Sequence, residues 1–275
     1  MNRSAPGIYE VTLSGLAAAT DFKALLGDTR WSLGQNYRVS PGETIDVCPH
    51  FTPQSGKATR RWPDGTSTPL GARGVWVYAP PGLLNNPGCR YPVLYMHDGQ
   101  NLFDPRAAFG GVTWRVAETL DQGSNAADPA QAIPEVIVIG VENGGAARID
   151  EYTPVPDPDY GGGGGDAYLR FLVEELKPAI DARYATRPAR EHTFLAGSSM
   201  GGLISLYGLC EYPQVFGGAA CVSTHWIGGF ERNTVVPAAA LAYLRDKLPA
   251  PHSVRLWMDR GSTQLDALYD AAQQQ

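Results

Sequence analysis

The segment best suited to chemistry is a serine between glycines, Gly197-Ser198-Ser199-Met200-Gly201. An apolar run at residues 193–196 precedes it, and a helical pattern over residues 202–212 follows at once. A G-x-S-x-G sequence between a strand and a helix lifts a serine hydroxyl away from the backbone on a sharp turn. The flanking glycines leave room for a strained turn and for close packing of the helix on the strand. The sequence therefore predicts that Ser199 is the nucleophile of an acyl-transfer site.

An acyl-transfer site also needs a base, a group that orients the base, and donors for the oxyanion. The backbone N–H of Met200 is expected to be the first donor, because it follows the nucleophile at the start of the helix. The turn after the apolar strand 91–97 is expected to supply the second, from Gly99, Gln100 or Asn101. His97 and Asp98 are expected to shape that turn.

The elements that must position these residues alternate from Gly74 onward. Apolar strand patterns at residues 75–78, 91–97, 135–141, 193–196, 216–222 and 254–258 alternate with helical patterns, the longest at 166–184. Such alternation is typical of an α/β fold with a mostly parallel sheet, whose sites gather at the carboxyl ends of the strands. Residues 1–60 instead show short strands and turns, including a predicted strand at 44–48, and residues 61–72 read as a linker. We therefore expect a small, incomplete β module at 1–60 and an α/β domain at 73–275.

The composition of the chain limits the classes of partner that it is expected to bind. The chain has 275 residues, a net charge of −6 and 43% hydrophobic residues, as in an ordinary globular protein. The absence of a basic run argues against nucleic acid or an anionic membrane as partner. No apolar stretch has the length of a membrane span, and the first residues lack the apolar core of a signal peptide. A cytoplasmic location is expected, unless a leader was removed. Four cysteines without C-x-x-C spacing do not predict a zinc site.

Three segments carry a family resemblance: Tyr91-Pro-Val-Leu-Tyr-Met-His-Asp-Gly-Gln-Asn-Leu-Phe-Asp104, Ile137-Val-Ile-Gly-Val-Glu-Asn-Gly144 followed by Arg148-Ile-Asp-Glu-Tyr-Thr-Pro154, and Gly197-Ser-Ser-Met-Gly-Gly202. Together they resemble the esterase family of α/β-hydrolases that includes enterochelin (siderophore) esterases, feruloyl esterases, S-formylglutathione hydrolase and the mycolyltransferases. The resemblance covers roughly residues 73–275 and implies an α/β-hydrolase fold. By analogy, Gln100 becomes the favoured second oxyanion donor. Residues 1–60 resemble the last part of a glycan-binding early-set β-sandwich that precedes the hydrolase domain in several relatives.

The catalytic acid is expected after the strand that ends at Met258, where Asp259 and Asp266 compete. The family pattern Gly-Thr-Glu-Thr-Leu-Asp-Ala-Leu-Tyr resembles Gly261-Ser-Thr-Gln-Leu-Asp-Ala-Leu-Tyr269 here, which favours Asp266. The alternatives are that Asp266 caps the last helix and that Asp259 pairs with an arginine.

The base is harder to assign. The family places its histidine one strand beyond the last helix, which would need on the order of 30 further residues. No histidine follows His252 in this sequence. We therefore expect the C-terminal strand and helix of the fold to be missing, with His225 as a weak substitute base. No metal or organic cofactor is implied.

Substrate contacts are expected from two loops. His225 and Trp226 lie in the loop after the strand 216–222, at the rim of the site, where they line a pocket or form a plain surface loop. Arg148 and Glu151 lie in the glycine-rich loop 148–165, which reads as a flexible lid. Arg148 would hold an acidic substrate group or pair with Glu151 or Asp150, and Asp98 completes the candidate set.

The resulting expectation is a serine carboxylic-ester hydrolase with a small-molecule substrate: an aryl, siderophore or glycan-linked ester. The alternatives are a binding or scaffold form that lacks the base, and an acyltransferase. An exposed strand 254–258 would be an apolar edge, which predicts a homodimer or poor solubility.

Overall fold

The structure, a computed structural model, describes residues 2–5, 8–61, 73–86, 88–159, 161–226 and 235–274. The linker predicted at 61–72 lies outside these residues except for its first position. Contacts divide the chain into two units, Met1–Gln54 with Gln122–Pro134, and Ser55–Asp121 with Glu135–Gln275.

The first unit contains three pairs of short antiparallel strands. They are β1 (Asn2–Ala5) with β2 (Ile8–Glu10), β3 (Thr20–Phe22) with β6 (Tyr37–Val39), and β4 (Leu25–Leu26) with β5 (Arg30–Trp31). Residues 44–48, which alternate as a strand does, are irregular. A strand exists only where a neighbour accepts its ladder hydrogen bonds, and no described strand pairs with this segment.

The second unit is built on a seven-stranded sheet in the order β13-β12-β11-β9-β10-β8-β7. Its strands are β7 (Lys57–Arg61), β8 (Val75–Ala79), β9 (Val93–His97), β10 (Ile137–Val141), β11 (Thr193–Ser198), β12 (Gly218–Val222) and β13 (Arg255–Met258). The pairs from β13 to β10 are parallel, whereas β8 runs antiparallel to β10 and β7. The predicted mostly parallel sheet is therefore confirmed. β7, in residues that the sequence pattern groups with the N-terminal module, pairs along its whole length with β8.

Helices flank this sheet. They are α1 (Pro81–Asn85), α2 (Val116–Ser124), α3 (Arg148–Tyr152), α4 (Gly165–Arg170), α5 (Lys177–Arg183), α6 (Met200–Glu211), α7 (Val235–Lys247) and α8 (Asp270–Gln273). A π-helical turn, Phe171–Leu176, joins α4 to α5, so the long helix predicted at 166–184 is continuous but changes its winding. Within the described ranges, no helix combines the length and apolar character needed to cross a membrane.

The sheet brings the candidate site together. β9, β11, β12 and β13 are parallel neighbours, so the loops at their carboxyl ends meet at one edge. The buried core of this sheet contains one apolar cluster, formed by Tyr78, Met96, Leu102, Val138 and Ala196.

Candidate active site

Ser199 lies on the turn between β11 and α6, in an unusual backbone conformation. Its φ is 59° and its ψ is −122°, a region that residues with a side chain rarely adopt. Two backbone hydrogen bonds hold the turn: Ser199 N–H donates to the Val222 carbonyl at 2.9 Å, and the Ser199 carbonyl accepts from His225 N–H at 3.1 Å. The loop that begins at the end of β12 therefore holds both the backbone N–H and the backbone carbonyl of Ser199.

The two outer glycines of the motif have different roles. A Cβ atom on Gly197 would lie 2.5 Å from the Gly201 carbonyl oxygen, which is backbone and cannot move aside cheaply. A Cβ atom on Gly201 would lie 3.4 Å from the His97 Cβ, an ordinary contact. The tight turn therefore depends on the absence of a side chain at Gly197 more than at Gly201.

The predicted oxyanion donors directly follow neighbouring strands. Met200 is the first residue of α6, where backbone N–H groups have no partner within the helix. Gln100 lies in a 3₁₀ turn, Gly99–Asn101, directly after β9, which is the parallel neighbour of β11. The Gln100 side chain accepts from the Asn143 N–H at 3.3 Å.

Asp98 and Arg148 form a bidentate ion pair beside that turn. Arg148 Nε and Nη2 donate to the two Asp98 carboxylate oxygens at 2.7 and 2.8 Å, and Asn143 Nδ2 donates to Oδ1 at 2.6 Å. Asp98 itself is left-handed, with φ 56°. The sequence suggested Glu151 or Asp150 as the ion-pair partner of Arg148, but in the structure Arg148 pairs with Asp98. The pair thus braces the turn that carries Gly99 and Gln100.

Glu151, a predicted substrate contact, is buried in a different pair. Its carboxylate accepts from Arg73 Nη2 at 2.5 Å and from Gly144 N–H at 2.9 Å, and only 5% of the residue is exposed. A carboxylate that is already paired and desolvated has no oxygen facing a substrate. Its role in the structure is to fix the loop before α3.

His97 belongs to a buried polar chain behind the turn. Its Nδ1 lies 2.8 Å from the Tyr168 hydroxyl, and the Asp98 N–H donates to the Tyr152 hydroxyl at 3.0 Å. Burial lowers the pKa of His97 from an ordinary 6.5 to about 4, although the Asp98 charge opposes this. His97 is therefore neutral at physiological pH and supports the turn from inside.

A tyrosine that no motif identified, Tyr269, lies in the segment after β13. Its hydroxyl lies 2.8 Å from His225 Nδ1, and the two rings meet edge to face. Tyr269 and His225 are each 1% exposed. Burial raises the pKa of Tyr269 to about 12, and the nearby Ser199 side chain opposes the shift.

The two candidate acids meet at Ser223 in the loop after β12. Asp266 Oδ2 accepts from Ser223 Oγ at 2.8 Å and from Gly261 N–H at 2.9 Å. Asp259 Oδ1 accepts from Ser223 N–H at 2.9 Å. Both aspartates thus tie the segment after β13 to the loop that carries His225.

Trp226 lines a small apolar cavity beside this loop. The indole is 2% exposed, and its Nε1 donates to Gln273 Oε1 at 3.1 Å. The cavity measures about 90 Å³, and its lining residues are Pro154, Val155, Leu203, Leu206, Tyr207, Trp226, Ala240, Tyr243 and Leu244. Tyr160, in the loop predicted to act as a lid, lies outside the described residues.

Sequence reasoning missed Tyr269 and Asn143. Tyr269 follows Asp266 by three residues, a spacing that puts two side chains on one face of a helical turn. The sequence could therefore have predicted that Tyr269 lies near the candidate acid Asp266. Asn143 follows the end of β10 by two residues and Asp98 directly follows the parallel strand β9, so their common sheet edge is the signal for that contact.

Comparisons with known proteins identify the family of the chain. The family model described as "Putative esterase" matches residues 67–267, and the chain belongs to that family. This confirms the resemblance drawn from the three sequence segments. Ferri-bacillibactin esterase BesA of Bacillus subtilis (strain 168) is 33% identical over 159 residues, which are 51% of this chain and 50% of that protein. The chain spans 50–58% of the length of the curated relatives it matches.

Solved structures show the same fold. The BES protein from Bacillus cereus is 21% identical, covers 85% of this chain and 84% of its own, and has a TM-score of 0.60. A ferulic acid esterase is also 21% identical, covers 80% of this chain and 86% of its own, and has a TM-score of 0.54. The predicted α/β-hydrolase fold is confirmed.

Proposed function

We propose that the protein is a serine carboxylic-ester hydrolase that forms an acyl-enzyme on Ser199. The observation that carries the proposal is the conformation of Ser199, at φ 59° between β11 and α6. Strain of this kind costs free energy and persists where the surrounding structure holds it for a purpose. Membership of the esterase family supports the same reaction class.

The reaction would proceed in two halves. Ser199 Oγ attacks the ester carbonyl, and the N–H groups of Met200 and Gln100 stabilise the oxyanion of the tetrahedral intermediate. The leaving alcohol departs with a proton, and water then releases the acid from Ser199. The brace between Asp98 and Arg148 holds the Gln100 turn at a fixed position during both halves, as pre-organised donors require.

The proposed substrate class is a siderophore ester, with aryl esters such as feruloyl esters as the second choice. The relative BesA is a ferri-bacillibactin esterase, and one structural neighbour is a ferulic acid esterase. Comparing kcat/KM for a catecholate siderophore lactone and for methyl ferulate would rank the two. A siderophore value no higher than that of a simple nitrophenyl ester would contradict the first choice.

A fluorophosphonate probe tests the nucleophile directly. We expect the wild-type protein to be labelled and to hydrolyse a short nitrophenyl ester, and Ser199→Ala to lose both. Ser198→Ala is the matched control, because Ser198 is the adjacent serine at the end of β11 and keeps the elbow intact. A folded wild-type protein that is neither labelled nor active would favour the binding or scaffold alternative, and ester products formed with added alcohols would favour an acyltransferase.

A further inference from the structure

The apolar cavity beside Trp226 follows the face of α6 that begins at Ser199. Its lining includes Leu203, Leu206 and Tyr207, which lie four, seven and eight positions after Ser199. Residues at these spacings share one face of an α-helix. The Leu203 N–H also donates to the Ser199 carbonyl at 3.2 Å, so this wall of the cavity starts one helical turn, about 5 Å, from the candidate nucleophile.

A second wall of the cavity is tied to the same carbonyl. Trp226 directly follows His225, and the His225 N–H donates to the Ser199 carbonyl at 3.1 Å. Trp226 is 2% exposed, so its indole faces the interior of the protein. The helix wall and the loop wall are therefore both held at Ser199 by backbone hydrogen bonds, which fixes the position of the cavity relative to the nucleophile.

The side chains that line the cavity offer carbon atoms to its contents. Three of them are aromatic with a polar atom, and each polar atom is bonded to a residue outside the lining. The bonds run from Trp226 Nε1 to Gln273 Oε1 at 3.1 Å, from the Tyr207 hydroxyl to Asp166 Oδ1 at 2.6 Å, and from the Tyr243 hydroxyl to Glu211 Oε1 at 2.6 Å. The other lining side chains are proline or aliphatic. Because a buried water needs two to four polar partners, such a lining favours an apolar group over water.

The volume of the cavity limits what it can hold. It measures about 90 Å³, and the rings of Tyr207 on α6 and Tyr243 on α7 pack against each other with their centroids 5.0 Å apart. A dry apolar cavity that accepts benzene measures about 150 Å³. At about 30 Å³ per heavy atom, the share of one molecule in liquid water, the cavity beside Trp226 holds about three heavy atoms. It therefore fits a short alkyl group and excludes an aromatic ring.

We propose that this cavity binds a short alkyl substituent on the acyl side of the ester. The inference rests on the proposed esterase function and adds a substrate class, esters of aliphatic acids with about three carbons beyond the carbonyl. The acyl group stays attached to Ser199 Oγ between the two halves of the reaction, whereas the alcohol must leave to solvent. A cavity of buried side chains that starts at Ser199 therefore suits the acyl side. A feruloyl ester carries an aromatic ring on that side, so the cavity disfavours it.

Nitrophenyl esters that differ only in the acyl group test the size of the site. Each buried methylene is worth about fourfold in binding, so we expect kcat/KM of the wild-type protein for the butanoate to exceed that for the acetate by about 15-fold. The hexanoate and the benzoate should both fall below the butanoate. Equal values for the acetate and the butanoate, or a benzoate that is hydrolysed best, would overturn the proposal.

Filling the cavity tests its location. Ala240 lies on α7 and lines the cavity, and Ala240→Leu adds three heavy atoms, about as many as the cavity holds. We expect this variant to lower the ratio of kcat/KM for the butanoate to that for the acetate about tenfold. Ala242→Leu is the matched control, because Ala242 lies on the same helix and is exposed, and it should keep the wild-type ratio. An unchanged ratio in folded Ala240→Leu would refute the assignment of the acyl site to this cavity.

Enlarging the cavity keeps the test decisive if Ala240→Leu does not fold. Leu244→Ala removes three carbon atoms from the lining, and we expect the hexanoate to overtake the butanoate in this variant. A butanoate optimum that stays unchanged in Leu244→Ala would also overturn the proposal. Failure of the proposed function has a different signature: a wild-type protein that hydrolyses none of these esters and is not labelled by a fluorophosphonate refutes the esterase and the acyl site together, whereas labelling and hydrolysis without a preference for acyl length refute the acyl site alone.

Discussion

The strained conformation of Ser199 predicts that its replacement by glycine gives a more stable protein than its replacement by alanine. A φ of 59° with a ψ of −122° is the conformation of the first central residue of a type II′ turn, which glycine adopts without strain. Alanine keeps the Cβ atom and hence the strain. Both Ser199→Gly and Ser199→Ala remove the hydroxyl and its contacts, so the difference between them isolates the backbone.

The magnitude follows from two opposing terms. Relief of a sparsely populated conformation at a residue with a side chain is worth about 1–3 kcal/mol. Glycine costs about 0.5–1 kcal/mol through the greater freedom of the unfolded chain. We therefore expect Ser199→Gly to unfold with a free energy about 0.5–2 kcal/mol higher than that of Ser199→Ala. At about 2–4 °C per kcal/mol, a domain of this size should melt a few degrees higher.

The assay is calorimetric unfolding of both variants and wild type under the same buffer. At an unstrained position the order would be reversed, because alanine is then the more stable residue. Equal melting temperatures, or a higher value for Ser199→Ala, would show that the elbow stores no strain and would remove the main support for Ser199 as nucleophile.

Four other perturbations have expected outcomes. Gly197→Ala should cost about 1–3 kcal/mol or more in urea denaturation, because its Cβ would lie 2.5 Å from the Gly201 carbonyl oxygen, whereas Gly201→Ala should cost less than about 1 kcal/mol. Arg148→Met should cost about 3 kcal/mol by leaving the buried Asp98 carboxylate unpaired, whereas Arg60→Met, which breaks the more exposed pair with Glu142, should cost less than about 1 kcal/mol. The pKa of His97 is about 4 in the folded protein, below the 6.5 of the unfolded chain. The stability that neutral His97 contributes is therefore complete above pH 6.5, and the free energy of unfolding should fall by about 1.4 kcal/mol per pH unit as the pH drops from 6.5 to 4. His97→Asn, whose Oδ1 can accept from Tyr168, should flatten that slope. Light scattering should show a dimer that Trp257→Lys converts to a monomer, and a concentration-independent monomer in wild type would contradict pairing through β13.

The parts of the fold with strong local patterns could be predicted from the sequence. The apolar run at residues 137–141 becomes the buried strand β10, and the motif around Ser199 lies between β11 and α6 as its spacing requires. The alternating residues 44–48 fail as a strand because alternation reports one face of a strand and not the presence of a neighbour.

The contacts of the candidate site were far harder to predict. His225 and Tyr269 are 44 residues apart, and Asp98 and Arg148 are 50 apart, so no local period relates either pair. Arg148 also had closer carboxylates in sequence, Asp150 and Glu151. On helix α3, however, Asp150 lies two positions on and does not face Arg148, whereas Glu151, three positions on, is already paired with Arg73. Pairings of this kind are decided by which loops converge at the sheet edge.

The two outer strands of the sheet differ in a way that bears on symmetry. On β7 the exposed side chains include Lys57 and Arg60, which discourage a further strand from pairing there, whereas β13 exposes Leu256 and Trp257. A molecule that exposes one apolar sheet edge can pair through that edge with one other molecule only. Two β13 strands meeting around a two-fold axis would use up both apolar edges, so the assembly closes at two copies and cannot grow into a fibre.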